Sequence, residues 1–333
     1  MIIPIFLTHA GCPHQCVFCN QKNITGRTGP LAPAAVPARI QDYLDKNRGT
    51  DPVQIAFYGG SFTALPIEVQ RSYLTAVQPL IRSGRIQGIR ISTRPDAIGP
   101  EVLDLLLTYH VLTVELGAQS MDNSVLRLSS RGHTAEDTLS AMELLRAGGF
   151  AIGLQLMPGL PGDTDARFRC TVAAAIKARP DFVRLYPALV IKDTPLADQY
   201  HSGFFAPLSL AQAVDWCRDA LLGFESAGIG VIRIGLQPSE ELERQGTIIA
   251  GPYHPAFREL VESSILLEMM RTALRCRHGA SGSVIVQVRP RDLSAAIGQR
   301  RSNIEILKRE FGLRDLRIVA GTASRGQREI TLL

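Results

Sequence analysis

Apolar, β-branched runs recur along the chain at 2–7, 53–58, 87–92, 111–116, 150–156, 181–186 and 229–234. Between them, stretches near 33–47, 67–83, 99–109, 134–147, 164–178 and 208–227 carry apolar residues at helical spacing. Strand alternates with helix, a pattern that demands a parallel sheet with right-handed crossovers. Six βα units after the first strand predict an α/β protein built on a partial (β/α)6 TIM-type barrel. In that architecture chemistry sits where strands hand over to helices, at the C-terminal edge of the sheet.

The pattern changes from Pro252 onward: a long helix at about 256–275, a Gly/Ser-rich link from His278 to Ser283, a strand at 284–289, two short helices and two closing strands. We therefore expect a barrel domain over 1–250 and a small α+β domain over 251–333. With 45% hydrophobic and 20% charged residues the chain is not a disordered one. No apolar run approaches the roughly 18 to 20 residues that span a bilayer. The start, Met1-Ile2-Ile3-Pro4, lacks a basic region and a small-residue cleavage site. A soluble, cytoplasmic protein with no membrane partner is expected. Net charge is +5, and residues 251–333 hold 14 Lys+Arg against 8 Asp+Glu, so the basic excess lies in the last quarter. That asymmetry fits a nucleic-acid surface or a solvated arginine-rich face.

Three of the six cysteines crowd into one loop after the first strand, Cys12, Cys16 and Cys19, spaced C-x3-C-x2-C. Cys170, Cys217 and Cys276 stand singly in helical patterns and read as small buried hydrophobes. Thiols in an unexported protein stay reduced, so three close cysteines look like metal ligands. A structural zinc would need a fourth ligand, which His9 or His14 could supply. An iron–sulfur cube held at three corners would instead leave one iron open to a small molecule.

The spacing, with Phe18 before the third cysteine, resembles the radical S-adenosylmethionine superfamily over residues 1–240. The resemblance implies a [4Fe–4S] cluster on Cys12, Cys16 and Cys19. It also implies S-adenosylmethionine (SAM) chelated at the open iron, and reductive cleavage to a 5′-deoxyadenosyl radical fed by an external electron donor. Tyr58-Gly59-Gly60-Ser61 looks like the superfamily's turn that receives the methionine ammonium, and glycine permits such close backbone approach. By the same similarity Ser92, Gln119, Arg131 and Gln155 contact ribose, carboxylate or adenosine. Relatives often carry a carboxylate at Ser92, and some at Gln155; otherwise Gln119 and Gln155 simply cap strand ends.

Arg131-Gly132-His133-Thr134, Met157-Pro158-Gly159-Leu160-Pro161 and the stretch from Leu185 to Leu196 together resemble the radical half of the Elongator catalytic subunit, and short bacterial relatives of it. This implies an RNA substrate, a tRNA uridine. The last 83 residues show no acetyl-coenzyme A loop, and the sequence does not say whether a partner supplies an acetyltransferase. Tyr186 and Lys192 follow the sixth strand and face the expected mouth, as substrate-holding groups or as a packing plug and a solvated lysine. His133, with an unperturbed pKa of roughly 6.5, suits proton transfer or a bond to a loop carbonyl.

In the tail, Gly298-Gln299-Arg300-Arg301 between two short helices resembles the G-x-x-G loop of a KH module, with Arg301 in place of the second glycine. Gly298, Arg300 and Arg301 would then face RNA phosphate; otherwise the tail is an α+β cap. Two rival functions stand beside a tRNA-modifying radical enzyme: a radical enzyme acting on a small metabolite or cofactor precursor, and a non-catalytic RNA-binding protein with structural zinc.

Overall fold

The computed structural model describes residues 1–20, 23, 29–46, 52–276, 282–321 and 328–332. The chain divides into two compact units: Met1–Ala213 with Ala220–Tyr253, and Val214–Asp219 with His254–Leu333.

In the first unit the strands are β1 (Ile2–Phe6), β2 (Gln54–Tyr58), β3 (Gly88–Thr93), β4 (Val111–Gln119), β5 (Ala151–Leu156), β6 (Phe182–Leu185), β7 (Val190–Ile191), β8 (Gly230–Ile234) and β9 (Ile248–Ala250). Seven of them form one parallel sheet in the order β1-β2-β3-β4-β5-β6-β8. Each end strand has one neighbour, so the sheet is a half-barrel open along one side, as the βα alternation led us to expect. The ribbon of β7 and β9 is antiparallel. It was not visible in the sequence, because strands of two and three residues are too short to show a period.

The two faces of the half-barrel differ in chemistry. Residues turned toward the helices are apolar and buried: Ile3, Ile5, Ile55, Phe57, Ile89, Ile91, Val114, Leu116, Ile152, Leu154, Val183 and Leu185. Alternate positions on the inner face read Tyr58, Arg90, Ser92, Glu115, Gly117, Gln155 and Arg184. Strand period 2 puts these on one side, and the register aligns them across strands (Ser92 with Glu115, Gln155 with Arg184). The helices between strands cover the outer face with Ile40, Leu74, Val77, Leu106, Met142, Leu145 and Phe168. They start where their sequences say they should: Thr134 and Asp137 form a capping box before Ala135–Ala147, and Asp122 caps Asn123–Leu128.

Cys217 is buried, whereas Cys170 and Cys276 are exposed, which corrects the expectation that all three single cysteines are core residues. No helix among the described residues is long and apolar enough to cross a membrane.

The second unit contains the long helix Phe257–Cys276, two short helices Leu293–Ile297 and Ser302–Phe311, and the strands β10 (Ser283–Val288), β11 (Asp315–Ala320) and β12 (Ile330–Leu332). β10 lies between a parallel β11 and an antiparallel β12. Residues 278–281 of the expected Gly/Ser-rich link lie outside the described residues. Val284, Val286, Val288, Ala296, Ile304, Leu307 and Leu316 form the core with Leu266, Met270 and Leu274 of the long helix.

Inside that core Asn303 is 3% exposed. Its amide donates to Ser263 Oγ (2.9 Å), Ala296 O (3.1 Å) and Ala295 O (3.2 Å), satisfying carbonyls at the end of one helix from the first turn of the next. Asn303→Ala leaves those carbonyls without a donor, and we expect a loss of about 2–4 kcal/mol in urea unfolding.

Candidate active site

The loop after β1 is fastened at several points. His9 N donates to Gly59 O (2.9 Å) and Ser61 N to Ala10 O (2.9 Å), which joins the loop to the turn after β2. A Cβ on Gly60 would lie 2.4 Å from Ala10 O and 2.5 Å from Leu7 O, so only glycine permits this approach. Gly59 takes φ +84°, the left-handed region. Further along, Val17 N donates to Ser129 O (3.2 Å) and Leu196 N to Val17 O (2.9 Å). Cys16, Val17 and Phe18 are buried against Val125, Leu160, Leu196 and Phe205. Phe18 thus anchors the loop as well as bordering the cavity described next.

A cavity of about 1050 Å³ opens on the inner face of the half-barrel. Its wall includes Cys12, Cys16, Cys19, Phe18, Gly59, Gly60, Ser61, Ser92, Gln119, Arg131, Gln155 and Tyr186. Residues from seven different segments of sequence are brought to one space. Among the described residues no three His, Cys, Asp or Glu side chains stand close enough to form a ready-made metal cage; the three cysteines form no disulfide and share one wall. Cys12 is open to solvent on one side, yet its sulfur is crowded. Desolvation, then the proximity of Cys16, pushes its thiol up, against the opposing pull of Arg131 and Arg94.

Arg131 is 8% exposed and donates Nη2 to Gly117 O (2.6 Å) and Nη1 to Cys16 Sγ (3.0 Å). Its position is held by Arg94, which donates to its backbone carbonyl (2.9 Å) while forming a two-pronged pair with Asp96 (2.7 and 2.9 Å). Gln119 Oε1 and Arg131 Nε, buried on this wall, have no hydrogen-bond partner among the described residues. Gln119 also takes φ +66°, just past an irregularity in the β4–β5 ladder, a strained conformation for a non-glycine residue. Unspent hydrogen-bonding capacity and backbone strain at a strand end are marks of a ligand site.

Ser61, 2% exposed, bonds Thr93 Oγ1 (3.0 Å) and accepts from Arg94 N (3.2 Å). Deeper on the inner face, Glu115 is fully buried. Its Oε1 accepts from Tyr58 OH (2.7 Å), Arg90 Nη1 (2.8 Å) and Arg184 Nη2 (3.0 Å). Its Oε2 lies 2.8 Å from Arg184 Nε and accepts from Gln155 Nε2 (3.2 Å), which also reaches Ser92 Oγ (3.4 Å). Burial and the adjacent carboxylate push the Tyr58 hydroxyl well above its ordinary range, so Tyr58 keeps its proton and donates it. Gly153 makes room for this network: a Cβ there would meet the Phe182 ring at 2.4 Å and Glu115 Cγ at 3.2 Å.

Glu115, Arg90, Arg184 and Arg94 were not singled out in the sequence. The available signal for Arg90, Glu115 and Arg184 was a charged residue at an inward period-2 position in each of three apolar strands, β3, β4 and β6.

Lys192 and His133 fall outside this cavity. Lys192 is exposed beside the β7–β9 ribbon, its N–H bonded to Thr247 O (2.8 Å). His133 is buried, its Nε2 within 3.2 Å of Ala118 O, and borders a second cavity of about 700 Å³ with His14, Arg127, Gly132 and Asp137. Desolvation, then the nearby Arg131, pulls its pKa down to about 4. It is therefore uncharged at neutral pH and bonded to the backbone carbonyl of Ala118. In the second unit Gly298 (φ +75°) is buried, while Arg300 (φ +51°) and Arg301 (φ +63°) are exposed, both left-handed.

The Radical SAM superfamily model matches residues 6–174, and the Radical_SAM C-terminal domain model matches residues 180–266. The tRNA uridine(34) acetyltransferase of Methanocaldococcus infernus is 28% identical over 254 residues, 64% of this chain and 48% of that protein. Human Elongator complex protein 3 is 27% identical over 251 residues, 61% of this chain and 46% of that protein. The chain thus spans about half the length of the curated relatives it matches. Among solved structures, archaeal Elp3 of M. infernus with an N-terminal deletion superimposes with a TM-score of 0.61 at 25% identity, covering 83% of this chain and 64% of that one.

Two outcomes follow from this geometry. Glu115→Gln leaves two guanidiniums without their counter-charge and should cost about 3–5 kcal/mol in chemical denaturation. For His133 the folded pKa lies below the unfolded one, so between pH 6.5 and 4 the unfolded chain binds more protons, and stability falls as pH drops through that window. Asp163, raised to about 6 by burial, acts in the opposite sense. The comparison is therefore with His133→Gln: wild type should lose up to about 3 kcal/mol relative to the variant between pH 7 and pH 4, read from urea midpoints.

Proposed function

The chain belongs to the radical SAM superfamily, and from that membership we propose that it uses a [4Fe–4S] cluster and SAM to modify a uridine of tRNA. The observation that carries this reading is the convergence of three cysteines outside any disulfide, the Gly59–Gly60 turn, Gln119 and Arg131 on one cavity. When bound, the cluster and SAM together supply a one-electron cleavage that yields a 5′-deoxyadenosyl radical.

The chain's own residues would hold and orient these groups. Cys12, Cys16 and Cys19 would ligate three irons, and the guanidinium of Arg131 against Cys16 Sγ offsets thiolate charge. Gly59, Gly60 and Ser61 present backbone to the methionine ammonium. The unpaired Gln119 Oε1 offers an acceptor, and the unpaired Arg131 Nε a donor, to the same ligand. Ser92 and Gln155, already in contact, lie at the ribose end. Tyr186 faces the substrate from the cavity wall, while Lys192, outside it, would meet only a substrate that extends past the mouth. The names of the relatives support tRNA as substrate. A KH-like reading of the second unit adds a phosphate contact at the turn of Gly298, with the exposed side chains of Arg300 and Arg301 turned to a nucleic-acid backbone. An external one-electron donor completes the cycle.

The test is anaerobic purification, iron and sulfide analysis, reduction, and assay of 5′-deoxyadenosine with and without bulk tRNA. We expect iron, sulfide and turnover in wild type and their loss in Cys12→Ala, Cys16→Ala and Cys19→Ala. tRNA affinity should fall with salt, and by about tenfold in the Arg300→Glu/Arg301→Glu variant. Stoichiometric zinc without colour rejects the radical chemistry, and indifference to tRNA rejects the substrate.

A further inference from the structure

Three guanidiniums border the cavity from the inner face, and one carboxylate engages two of them. Arg90 on β3, Arg184 on β6 and Arg233 on β8 all border the cavity. Glu115 pairs with the first two at 2.8 Å each. Arg233 donates to the uncharged Oε1 of Gln237. Arg184 and Arg233 are directly paired across the β6–β8 ladder, so like charges stand side by side, an arrangement that weakens a sheet. Among the described residues no Asp or Glu borders the cavity. Arg94 has its own partner in Asp96, and Arg131 is turned to Cys16 and Gly117.

The two cofactors do not cancel this excess. A [4Fe–4S]2+ cluster on three thiolates carries one negative charge and SAM one positive charge, so loading both leaves the balance as it was. The cavity, at about 1050 Å³, also sits at the top of the range of roughly 300–1,000 Å³ for small-molecule sites, which leaves space for a second molecule. Beside Arg184, the Tyr186 hydroxyl accepts from Arg184 Nη1 (3.2 Å), which leaves its own proton for an acceptor in the cavity.

We propose that Arg233, with Tyr186 and Arg184, forms a subsite for an oxyanion of the substrate, a phosphate or a carboxylate. The proposal rests on the reading above only in taking this cavity as the substrate's. Arg233 supplies the planar fork that such a group binds in two-pronged fashion, and it is the cation of the three that no carboxylate engages among the described residues.

The experiment measures binding of uridine 5′-monophosphate, inorganic phosphate and acetate to the cluster-loaded protein by ligand-detected NMR. At least one of the three should bind wild type about tenfold more tightly than Arg233→Gln, with part of the difference restored in Arg233→Lys. Gln237→Glu, which keeps Arg233 but gives it a carboxylate neighbour, should weaken the same probe by a similar factor. A response to the two phosphates assigns a phosphate, and a response to acetate alone a carboxylate. If no probe separates wild type from Arg233→Gln and Gln237→Glu by more than about twofold, while circular dichroism and cluster absorbance are normal, the subsite is overturned and the radical chemistry stands. If wild type takes up no cluster but its anion binding depends on Arg233, the subsite stands and the radical chemistry falls.

Discussion

A carboxylate sealed inside an open barrel must be matched by donors, because an ionised group out of water without partners costs several kcal/mol. Glu115 meets that demand by collecting hydrogen bonds and ion pairs from β2, β3, β5 and β6 while itself standing on β4. Closed parallel barrels fill their interior with apolar layers. This half-barrel keeps a polar inner wall because that wall borders a cavity, and the Glu115 network does the ordering that apolar packing would otherwise do. The side chains above it, Ser92, Gln155 and Tyr186, take their positions from the same five strands, so the shape of the cavity follows from the charge balance beneath it.

The strands and long helices were legible in the sequence because burial on one face enforces a period, and the period survives without knowledge of the fold. The cysteine loop and the Gly59–Gly60 turn were legible because spacing and glycine placement are local. The Glu115 network was not, since Arg90 and Arg184 lie 25 and 69 residues from it, and a single charge in an apolar strand looks the same whether it has a partner or not. Arg94 was hidden for a similar reason: its role is to hold the carbonyl of Arg131, a contact made by tertiary structure alone. His133 and Lys192 were legible as residue types capable of chemistry, but burial beside Ala118 O and exposure beside Thr247 decide what each faces.

Eight non-glycine residues among those described take positive φ, and three of them stand at candidate ligand positions. Gln119 at the end of β4 and the consecutive Arg300 and Arg301 all adopt left-handed conformations that glycine would take more easily. At Arg301 a cation occupies a left-handed position, and Asn303, two residues on, donates to Ala295 O and Ala296 O at the end of the preceding helix. The loop trades conformational ease for positive charge while its base remains rigid.

His14 and Gln15 border both of the cavities described above. The loop that carries Cys12, Cys16 and Cys19 thus lines the larger space with its thiols and reaches the smaller one through these two side chains. A substitution at His14 or Gln15 therefore reshapes two hollows together, which no change at a single thiol does.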